Sequence, residues 1–476
     1  MIDLTKIENY RENNRIEAKK ALGGLPQSIW ETYSAFANTL GGVILLGVEE
    51  YKDKSLHPVD LPDPERLVRE FWRIINDRTK VSGNILHKKR VEIVQSEGKK
   101  IIVIVVPRAP RTEKPVYIGN DPFTGTYRRN GEGDYKCSKE QVRSMLRDAE
   151  KRSLDMESVK WSSLEKLKRD SIKDYRRLIE ENETDTSFKT MSDIEFLCEI
   201  GAAVCENGKV YPTGAGLLVF GKREEISHFY PRFRLCFEER ITARGVKRYC
   251  SEKEGQIENL FDFYVFAIER LNKSVENRLR KASERQCLEI KKGVSEALVN
   301  CLVNADYHGK KGIVITQTRF TFVFCNAGSF RADLEIAKNG GVSDPRNSAV
   351  KKIFYYLGMG SGTGNGILDI FAKWRKIGWA LPTIKEEFNS ERVTFTLPFR
   401  RRALEKSSLR SREGKENFEE MERCEIIEFL TERISATLGE IAAALHFDFE
   451  KACLRVEELE KAEILVQQKG KYRLKG

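Results

Sequence analysis

The chain of 476 residues lacks several features that would place it in a common class at once. It has no run of about 18 apolar residues, and no apolar segment follows a basic one at its start, so we expect neither a membrane-spanning helix nor a secretion signal. It also has no G-x-x-x-x-G-K-[ST] motif, which argues against P-loop helicases and kinases. These absences predict a cytoplasmic protein that has no membrane partner.

Cysteine occurs ten times, but never in a pattern that predicts a cross-link or a metal site. No C-x-x-C pair occurs, and no cysteine lies with histidine at the spacing of zinc ligands. The simplest expectation is that the cysteines are reduced and pack in the core.

The composition is that of a folded protein with an excess of positive charge. Hydrophobic residues make up 40% of the chain, and its length suits about three domains of ~100–200 residues each. The net charge of +11 is compatible with a polyanionic partner such as nucleic acid. The stretch 400–417 is rich in arginine and lysine and poor in apolar residues, which predicts a linker.

Two segments near the N-terminus carry the clearest local patterns. SAFANTLGGVILLGV predicts a helix, a glycine turn and a β-branched strand, and KKIIVIVVPR predicts a second strand. Further on, Tyr127, Arg128 and Arg129 combine an aromatic ring with two cations, which suits contacts to the bases and phosphates of nucleic acid. The alternative is a solvated hairpin with ordinary surface arginines.

A second set of patterns predicts a nucleotide site. Glu296, Asn300 and Asn304 are spaced by four in SEALVNCLVNADY, so they share one face of a helix whose other positions are apolar. A strand, FVFCNAGSF, ends in Asn326-x-Gly328, and the glycine-rich LGMGSGTGNGI follows. Carboxylate and amide oxygens suit Mg²⁺, and glycines let backbone N–H groups approach phosphate oxygens. The alternative is a helix with satisfied core amides and a flexible loop.

This order of elements resembles the GHKL ATPases, of the gyrase, heat-shock chaperone, histidine kinase and MutL type, over residues 290–399. The resemblance implies that Glu296 polarises the attacking water, Asn300 coordinates Mg²⁺ and Asn326, where the family has aspartate, contacts adenine. The implied cofactors are ATP and Mg²⁺, and the implied activity is weak ATP hydrolysis. The predicted contacts to the nucleotide also include Asn304, Gly328, Gly360, Gly362, Thr363, Gly364 and Gly366.

The N-terminal motifs ENNRIEAKK, SAFANTLGGVILLGVEE, EKPVYIG and TYRRNGEG resemble the Schlafen-type AlbA-like domain. In bacteria and archaea this domain is commonly joined to a GHKL-like ATPase and a winged helix in proteins labelled as transcriptional regulators. Animal Schlafens use it as a metal-dependent RNA nuclease, and by position Glu12, Glu17 and Glu50 would hold Mg²⁺ or Mn²⁺ here, with Glu50 replacing an aspartate. The alternative is that Glu12 and Glu17 are structural, with Glu17 paired to Lys19, Lys20 or a nearby arginine.

The C-terminal segment predicts three helices and a hairpin, in MERCEIIEFLTER, TLGEIAAAL, FEKACLRVEELEKAEI and LVQQKGKYRL. This order is typical of a winged helix. Glutamates on the third helix oppose its approach to phosphates, so Lys469, Lys471 and Arg473 in the hairpin are the predicted nucleic-acid contacts. The alternative is a protein contact, with a second copy of the chain in a homodimer or higher homo-oligomer.

Taken together, these patterns predict a multidomain protein of α/β and α+β class. Its parts are an AlbA-like α+β nucleic-acid-binding domain, a helical connector with a middle α/β region, a GHKL-like α/β sandwich, a basic linker and a winged helix. The predicted bounds are 1–150, 151–289, 290–399, 400–417 and 418–476. The predicted function is an ATP-binding transcriptional regulator in which nucleotide modulates DNA or RNA binding. Two alternatives remain: a metal-dependent RNA or tRNA endonuclease with a defence role, and a non-catalytic assembly scaffold.

Overall fold

The structure is a computed structural model of the chain. It describes all residues except 1–9, 11, 183–186, 241–245, 252–256, 281, 332, 333, 342, 360–363, 389, 401–422, 424, 425, 428, 431, 432, 434, 446–448, 469 and 476. The predicted basic linker at 400–417 therefore falls almost wholly outside the described residues.

The chain divides into two compact units. The first comprises Met1–Leu154 with the short segments Ser329–Asp333 and Glu387–Glu391, and the second comprises the remaining chain. Both units combine helices and sheets, which confirms the mixed α and β multidomain class. Among the described residues no helix is both long and apolar enough to cross a membrane.

The first unit is built on a four-stranded sheet with the order β1-β2-β6-β5. Its strands are β1 (Ile16–Lys19), β2 (Gly42–Leu46), β3 (Val48–Glu50), β4 (Leu56–Pro58), β5 (Val91–Ser96), β6 (Lys99–Val106), β7 (Tyr127–Asn130) and β8 (Gly133–Lys136). Its α-helices are α1 (Ile29–Asn38), α2 (Pro64–Ile75), α3 (Pro122–Gly125) and α4 (Lys139–Ala149). β1 runs parallel to β2, and the other pairs in this sheet are antiparallel. Two further hairpins, β3–β4 and β7–β8, stand outside it.

The apolar runs of β2 and β6 follow from burial on both faces of this sheet. Ile44 and Ile104 point into the larger core together with residues of α1 and α2, whereas Leu45 and Ile101 belong to a smaller cluster with Val48 of β3. A strand that is covered on both sides needs apolar side chains at successive positions rather than at alternate ones. The predicted helix, turn and strand around Gly41 and the predicted strand in KKIIVIVVPR are thus confirmed.

The second unit contains a six-stranded sheet with the order β12-β11-β13-β14-β16-β15. Its strands are β9 (Ala203–Glu206), β10 (Lys209–Pro212), β11 (Leu235–Arg240), β12 (Lys247–Cys250), β13 (Ile313–Thr318), β14 (Thr321–Ala327), β15 (Thr383–Glu387) and β16 (Arg392–Pro398). The α-helices of this unit that precede β15 in the chain are α5 (Arg169–Asn182), α6 (Ser187–Thr190), α7 (Asp193–Glu199), α8 (Gly214–Phe220), α9 (Arg223–Phe229), α10 (Leu260–Arg278), α11 (Glu284–Asn304), α12 (Leu334–Asn339), α13 (Ser348–Tyr356) and α14 (Gly366–Ile377).

One large core joins this sheet to α8, α10, α11, α13 and α14. Trp374 of α14 is fully buried there, and its indole N–H donates to the carbonyl oxygen of Pro398 at 2.7 Å. The helix predicted for SEALVNCLVNADY is α11, and the strand predicted to end at Asn326 is β14. Both predictions are confirmed, and the apolar side of α11 is the side that packs in this core.

The last part of the chain has its own small core. It contains α15 (Leu438–Leu445), α16 (Phe449–Lys461), β17 (Leu465–Gln468) and β18 (Lys471–Leu474). Thr437 caps α15 by accepting from the Glu440 N–H at 3.3 Å. Two of the three predicted helices and the hairpin are therefore confirmed, whereas MERCEIIEFLTER lies in a range that is described only in part. The winged helix as a whole stays a prediction.

The expectation that every cysteine is reduced is wrong at one pair. Cys236 of β11 and Cys250 of β12 form a disulfide. The two residues are direct cross-strand neighbours in antiparallel strands, with their Cα atoms 4.2 Å apart. Spacing along the chain does not reveal this pair, because it depends on which strands become neighbours.

Candidate functional site

The polar stripe of α11 lies at the margin of the second unit's core. Glu296, Asn300 and Asn304 are each partly exposed, whereas the helix positions between them are buried. The Asn300 amide N–H donates to Glu296 Oε1 at 3.2 Å, and the Asn304 amide N–H donates to the Asn300 carbonyl oxygen at 3.0 Å. The stripe is therefore a connected row that a ligand can reach, and not a set of enclosed core amides.

The beginning of α14 lies directly against this stripe. A Cβ atom placed on Gly366 would lie 2.0 Å from Glu296 Oε1 and 2.7 Å from its carboxyl carbon, well inside van der Waals contact. A side chain at position 366 would therefore have to displace the Glu296 carboxylate, whereas glycine lets the helix start this close to it. The structure brings the carboxylate and the end of the glycine-rich segment together, although they are far apart in sequence.

The middle of the glycine-rich segment cannot be placed against the stripe. Gly360, Gly362 and Thr363 lie outside the described residues. Gly364 is described and has a φ of 73°, in the left-handed region that side chains other than glycine rarely adopt. A turn of this kind is needed where the segment bends into α14.

The turn after β14 meets the C-terminal end of α11. Asn326 is 6% exposed, and its amide N–H donates to the carbonyl oxygens of Ala327 at 3.1 Å and Asn304 at 3.5 Å. Gly328 has a φ of 100°, and a Cβ atom there would collide with the Arg346 guanidinium. Asn304, Asn326 and Gly328 therefore form one group, as the motif order predicted.

Arg346 is part of this group, but the sequence analysis did not single it out. Its guanidinium donates to the Asn304 carbonyl oxygen. This oxygen belongs to the last turn of α11, where carbonyl oxygens have no N–H partner within the helix. The neighbouring Asn347 donates to the carbonyl oxygens of Val303 at 2.9 Å and Ala305 at 2.8 Å. A cation held at 9% exposure beside the predicted nucleotide group is suited to a phosphate.

Two consecutive glycines near the start of α14 are also absent from the sequence predictions. Gly340 and Gly341 both have left-handed φ values, 81° and 83°. The Gly341 N–H donates to Asn365 Oδ1 at 3.0 Å, immediately before α14 begins. Two consecutive glycines ahead of the SDPRN segment were the available signal, and their backbone conformation is the reason that both are glycine.

In the first unit, Glu12, Glu17 and Glu50 face a common region. Burial raises the pKa of Glu12, the backbone N–H of Ala18 lowers it, and the charges of Glu17 and Glu50 raise it further. The Glu12 Oε1 atom accepts from the Ala18 N–H at 2.9 Å. One oxygen of Glu50, Oε1, is buried without a hydrogen-bond partner. The three carboxylates predicted as a group are thus close enough to affect one another.

Cations already neutralise part of this group. Glu17 accepts from Arg129 at 2.7 Å and from Lys19 at 2.7 Å, and Glu50 pairs with Lys54 at 3.4 Å. Among the described residues, no three His, Cys, Asp or Glu side chains are arranged to hold a metal ion together. Glu17 thus pairs with Lys19 and with an arginine, as expected if its role is structural rather than metal-binding.

The hairpin β7–β8 buries the side chains that were predicted to contact nucleic acid. Arg129 is 3% exposed and pairs with Glu17 and with Asp134 at 2.9 Å. Burial disfavours its charged form, but these two carboxylates outweigh burial, so the pKa of Arg129 is raised. Arg128 is 8% exposed and pairs with Glu391 at 3.3 Å.

Tyr127 is likewise held within the first unit. Its hydroxyl donates to Glu31 at 3.0 Å, and burial together with that carboxylate raises the pKa of Tyr127 to about 12. The opposite strand of the hairpin presents the exposed side chains instead. Tyr135 is 59% exposed and Lys136 is exposed beside it. Neither residue is among the sequence predictions, although the two repeat the same aromatic and basic pattern.

The C-terminal hairpin presents two of its three predicted contact residues to solvent. Lys471 and Arg473 of β18 are exposed and point to the same face, because they are two residues apart in a strand. Lys469 lies outside the described residues.

Comparisons with family models give two matches along the chain. Residues 12–138 match the family model "Schlafen, AlbA_2", and residues 143–236 match the model of a domain of unknown function, DUF8451. Residues 12–138 are therefore similar to the Schlafen AlbA_2 family, which is the resemblance that the N-terminal motifs predicted. The second match overlaps the predicted connector and assigns no activity to it. No curated protein sequence matches the chain.

The solved structures that are similar to this chain include one protein and one isolated domain. The DIP2311 protein from Corynebacterium diphtheriae is 18% identical, aligns over 97% of this chain and 80% of its own, and gives a TM-score of 0.41. The N-terminal domain of a protein from Nitrosomonas europaea, described as related to the ATP-dependent DNA helicase RecG, is 32% identical. That alignment covers 29% of this chain and 94% of the domain, with a TM-score of 0.23.

Proposed function

We propose that the chain is a nucleic-acid-binding regulator whose second unit binds ATP with Mg²⁺, and that nucleotide modulates its binding to DNA or RNA. The Schlafen AlbA_2 match over residues 12–138 supports the nucleic-acid part. The observation that carries the nucleotide part is the contact of Gly366 with the Glu296 carboxylate, at the end of the stripe with Asn300 and Asn304.

Each residue of this site has a distinct chemical role in the proposal. When bound, Mg²⁺ neutralises phosphate charge and polarises the terminal phosphate. Asn300 and Asn304 supply amide oxygens on the same side of α11 as the carboxylate, and Arg346 supplies a nearby positive charge. Glu296 orients a water and accepts its proton at a carboxylate oxygen, a role that contributes ~10²–10⁴-fold to a rate. Asn326 presents an amide oxygen to the adenine amine.

An ATP titration by calorimetry, with Mg²⁺ present, tests the nucleotide site. We expect Glu296→Ala to bind ATP and to lose most hydrolysis, and Gly364→Val to lose ATP binding, because valine is strained at a φ of 73°. Gly378→Val is the matched control, since Gly378 has a φ of 80° at the other end of α14. Unchanged ATP affinity in Gly364→Val would place the nucleotide elsewhere.

The nucleic-acid part is tested by anisotropy with labelled duplex DNA and labelled RNA at several salt concentrations. We expect the affinity for nucleic acid to fall as the salt concentration rises. Lys136→Gln should reduce the steepness of log K against log salt by about 1, the value for the loss of one phosphate contact. Lys89→Gln, an exposed lysine in the segment before β5, is the control. A flat dependence on salt for the unaltered chain would rule out binding through phosphates.

The three neighbouring carboxylates Glu12, Glu17 and Glu50 of the first unit favour a second candidate function, that of a metal-dependent nuclease. Its support is the buried, unpartnered Oε1 of Glu50 beside Glu12 and Glu17. Because Glu17 is already paired with Arg129 and Lys19, these side chains do not form a ready metal cage, and we derive no reaction step through a metal. Incubation of labelled tRNA with Mn²⁺, Mg²⁺ or EDTA tests the candidate, and cleavage that survives Glu17→Ala removes these residues from it.

A further inference from the structure

One edge of the six-stranded sheet in the second unit carries cations from several elements. β11 ends there at Arg240, which lies beside Thr318 at the end of the parallel strand β13. The antiparallel strand β12 begins there at Lys247, which pairs in register with the residue before Arg240. The turn after β13 adds Arg319, and the end of α10 adds Arg278, whose guanidinium donates to the Thr318 carbonyl oxygen at 2.8 Å. We call the following five residues the basic edge: Arg240, Lys247, Arg248, Arg278 and Arg319.

Three of these cations have no carboxylate partner. Arg319 and Lys247 are exposed, and no ion pair within the described residues involves either of them or Arg278. Of the three guanidinium nitrogens of Arg278, only Nη2 donates to another described residue, and its Nε–H is buried without a partner. Burial, together with the charge of Arg319, lowers the pKa of Arg278 to about 10. The positive charges of Arg278 and Arg319 are therefore close enough to repel each other.

Two aromatic rings hold the Arg278 guanidinium in place. Its Cζ atom lies 5.2 Å from the centre of the Phe322 ring and 4.9 Å from that of Phe399. Contacts to ring faces orient a guanidinium and leave the nitrogens at its edge available to an acceptor. The last turn of a helix also favours a cation, because its carbonyl oxygens carry partial negative charge. The cation is thus positioned by groups that do not carry a full negative charge.

The other two arginines of the basic edge share one carboxylate. Glu238 is 7% exposed and pairs with Arg240 at 2.7 Å and with Arg248 at 2.9 Å. Two guanidinium groups on one carboxylate leave an excess of positive charge. The next carboxylate along β11, that of Glu239, is paired with Arg270 at 3.7 Å. Positive potential therefore accumulates along this edge of the sheet.

We propose that the basic edge binds the phosphate backbone of a nucleic acid, an inference that rests on the proposed function and adds a contact surface in the second unit. The cations extend across the ends of β12, β11 and β13, over about 10 Å at ~4.8 Å for each strand spacing. A duplex presents one phosphate per about 3.4 Å of axis on each strand. A row of cations of this length suits successive phosphates better than one small anion, and guanidinium groups match the geometry of phosphate oxygens.

Anisotropy with labelled duplex DNA and labelled RNA, on the full chain at several salt concentrations, tests the proposal. We expect Arg319→Gln and Lys247→Gln each to weaken binding by about threefold to tenfold, the effect of losing one surface hydrogen bond. Each should also lower the steepness of log K against log salt by about 1. Both side chains are exposed, so neither change should unfold the chain, which circular dichroism checks.

Arg169→Gln and Lys209→Gln are the matched controls. Both residues are exposed, lie in the second unit and have no ion pair within the part of the chain that the structure describes. Arg169 follows Lys168, which pairs with Asp262 in the first turn of α10 at 2.9 Å. It therefore lies near the opposite end of α10 from the basic edge, about 24 Å away along the helix. Lys209 belongs to β10, which is not a strand of this sheet. We expect both controls to bind nucleic acid as the unaltered chain does.

The possible outcomes separate this proposal from the proposed function. Nucleic-acid binding that is unchanged in Arg319→Gln and Lys247→Gln would overturn the basic edge and leave the proposed function standing. Absence of binding by the unaltered chain would overturn both. Competition by inorganic phosphate beyond that of sodium chloride at equal ionic strength would assign the cations to a small anion. Equally tight binding of polyglutamate would assign them to an acidic protein.

A second measurement needs no variant. Oligonucleotide should slow the acetylation of Lys247 by an amine-reactive reagent by about threefold or more at saturation, read by mass spectrometry, because a bound strand covers the amine. The exposed Lys209 should react at an unchanged rate. Acetylation of Lys247 that is indifferent to bound oligonucleotide would contradict the proposal.

Discussion

Asn38 is a buried amide that uses all of its hydrogen-bonding groups. Its N–H groups donate to the carbonyl oxygens of Val116 at 2.7 Å and Tyr127 at 3.1 Å, and its oxygen accepts from the Val116 N–H at 2.9 Å. The amide therefore holds the P-V-Y segment and the start of β7 against α1. Asn38, the last residue of the AFAN sequence, thus has a structural role in the first unit.

Replacing Asn38 by alanine should be strongly destabilising. The change leaves the Val116 N–H and the Tyr127 carbonyl oxygen without these partners in a buried place, whereas the Val116 carbonyl oxygen keeps the Ser34 hydroxyl as a donor. We expect the free energy of unfolding to fall by about 2–4 kcal/mol. Urea unfolding measures this. Asn120→Ala, at an exposed loop position, should change it by less than about 0.5 kcal/mol. A loss as small as the control's would mean that water replaces the amide.

The raised pKa of Glu12 predicts a stability that depends on pH. Burial, opposed by the Ala18 N–H and assisted by the charges of Glu17 and Glu50, raises this pKa above its ordinary value of 4.5. The neutral form is favoured by folding, so its contribution is complete below pH 4.5 and is lost as pH rises through the raised pKa.

Glu12→Gln should therefore be more stable than the unaltered chain at pH 7, and equal to it near pH 4. Glutamine keeps an oxygen for the Ala18 N–H but carries no charge. Urea unfolding at the two pH values, with the exposed Glu92→Gln as control, measures the difference. An advantage of Glu12→Gln that is largest at low pH would contradict the assigned cause.

At the scale of elements, Gly366 of α14 lies directly against Glu296 of α11. Gly366→Ala should displace the Glu296 carboxylate from its contact with Asn300 and cost about 1 kcal/mol, because the side chain can rotate away. In a Glu296→Ala background the same change should cost much less. This double-mutant cycle isolates the pair, and equal costs in both backgrounds would mean that the two helices are not in the described contact.

The disulfide between β11 and β12 ties an edge strand to the sheet. It closes a loop with a sequence separation of 14, for which chain entropy predicts about 3 kcal/mol of stabilisation. The double variant Cys236→Ala, Cys250→Ala should therefore lower the free energy of unfolding by about that amount in oxidising buffer. With dithiothreitol the difference should nearly vanish, and a persistent difference would assign it to packing instead.

The packing of the β7–β8 hairpin explains which of its residues are buried and which are exposed. The alternative interpretation of TYRRNGEG, a solvated hairpin with surface arginines, is right about the hairpin and wrong about its arginines, which are buried. The pattern does not tell which strand faces the core. In the structure Arg128 lies opposite Tyr135 and Arg129 opposite Asp134, and the first strand is the buried one. Burial is decided by the packing of β7 on α1, which no local pattern contains. The candidate contacts to nucleic acid are for this reason on β8 rather than β7.

For the whole molecule, the proposal requires that ATP and nucleic acid affect each other. If ATP changes the affinity for nucleic acid by some factor, nucleic acid must change the affinity for ATP by the same factor. We expect a change of about 5–150-fold, the usual range of such couplings. Anisotropy with and without ATP, and calorimetry with and without oligonucleotide, measure the two factors. ATP binding without any change in nucleic-acid affinity would remove the regulatory part and favour the scaffold alternative.

The sequence by itself determined the classes of element and the residue types at the candidate sites. Hydrophobic period and glycine placement are local properties, so α1, β2, α11 and β14 follow from them, as does the polar stripe of α11. The motifs also placed the AlbA-like domain, which the family match over residues 12–138 confirms.

Only the tertiary structure decided which residues meet. The contact of Gly366 with Glu296, the placement of Arg346 beside Asn304 and the disulfide of β11 with β12 each join segments distant in sequence. Such contacts depend on strand order and helix packing, which are set by the burial of the whole core rather than by any short pattern. The same packing fixed which cations are neutralised and which carboxylates are left close together.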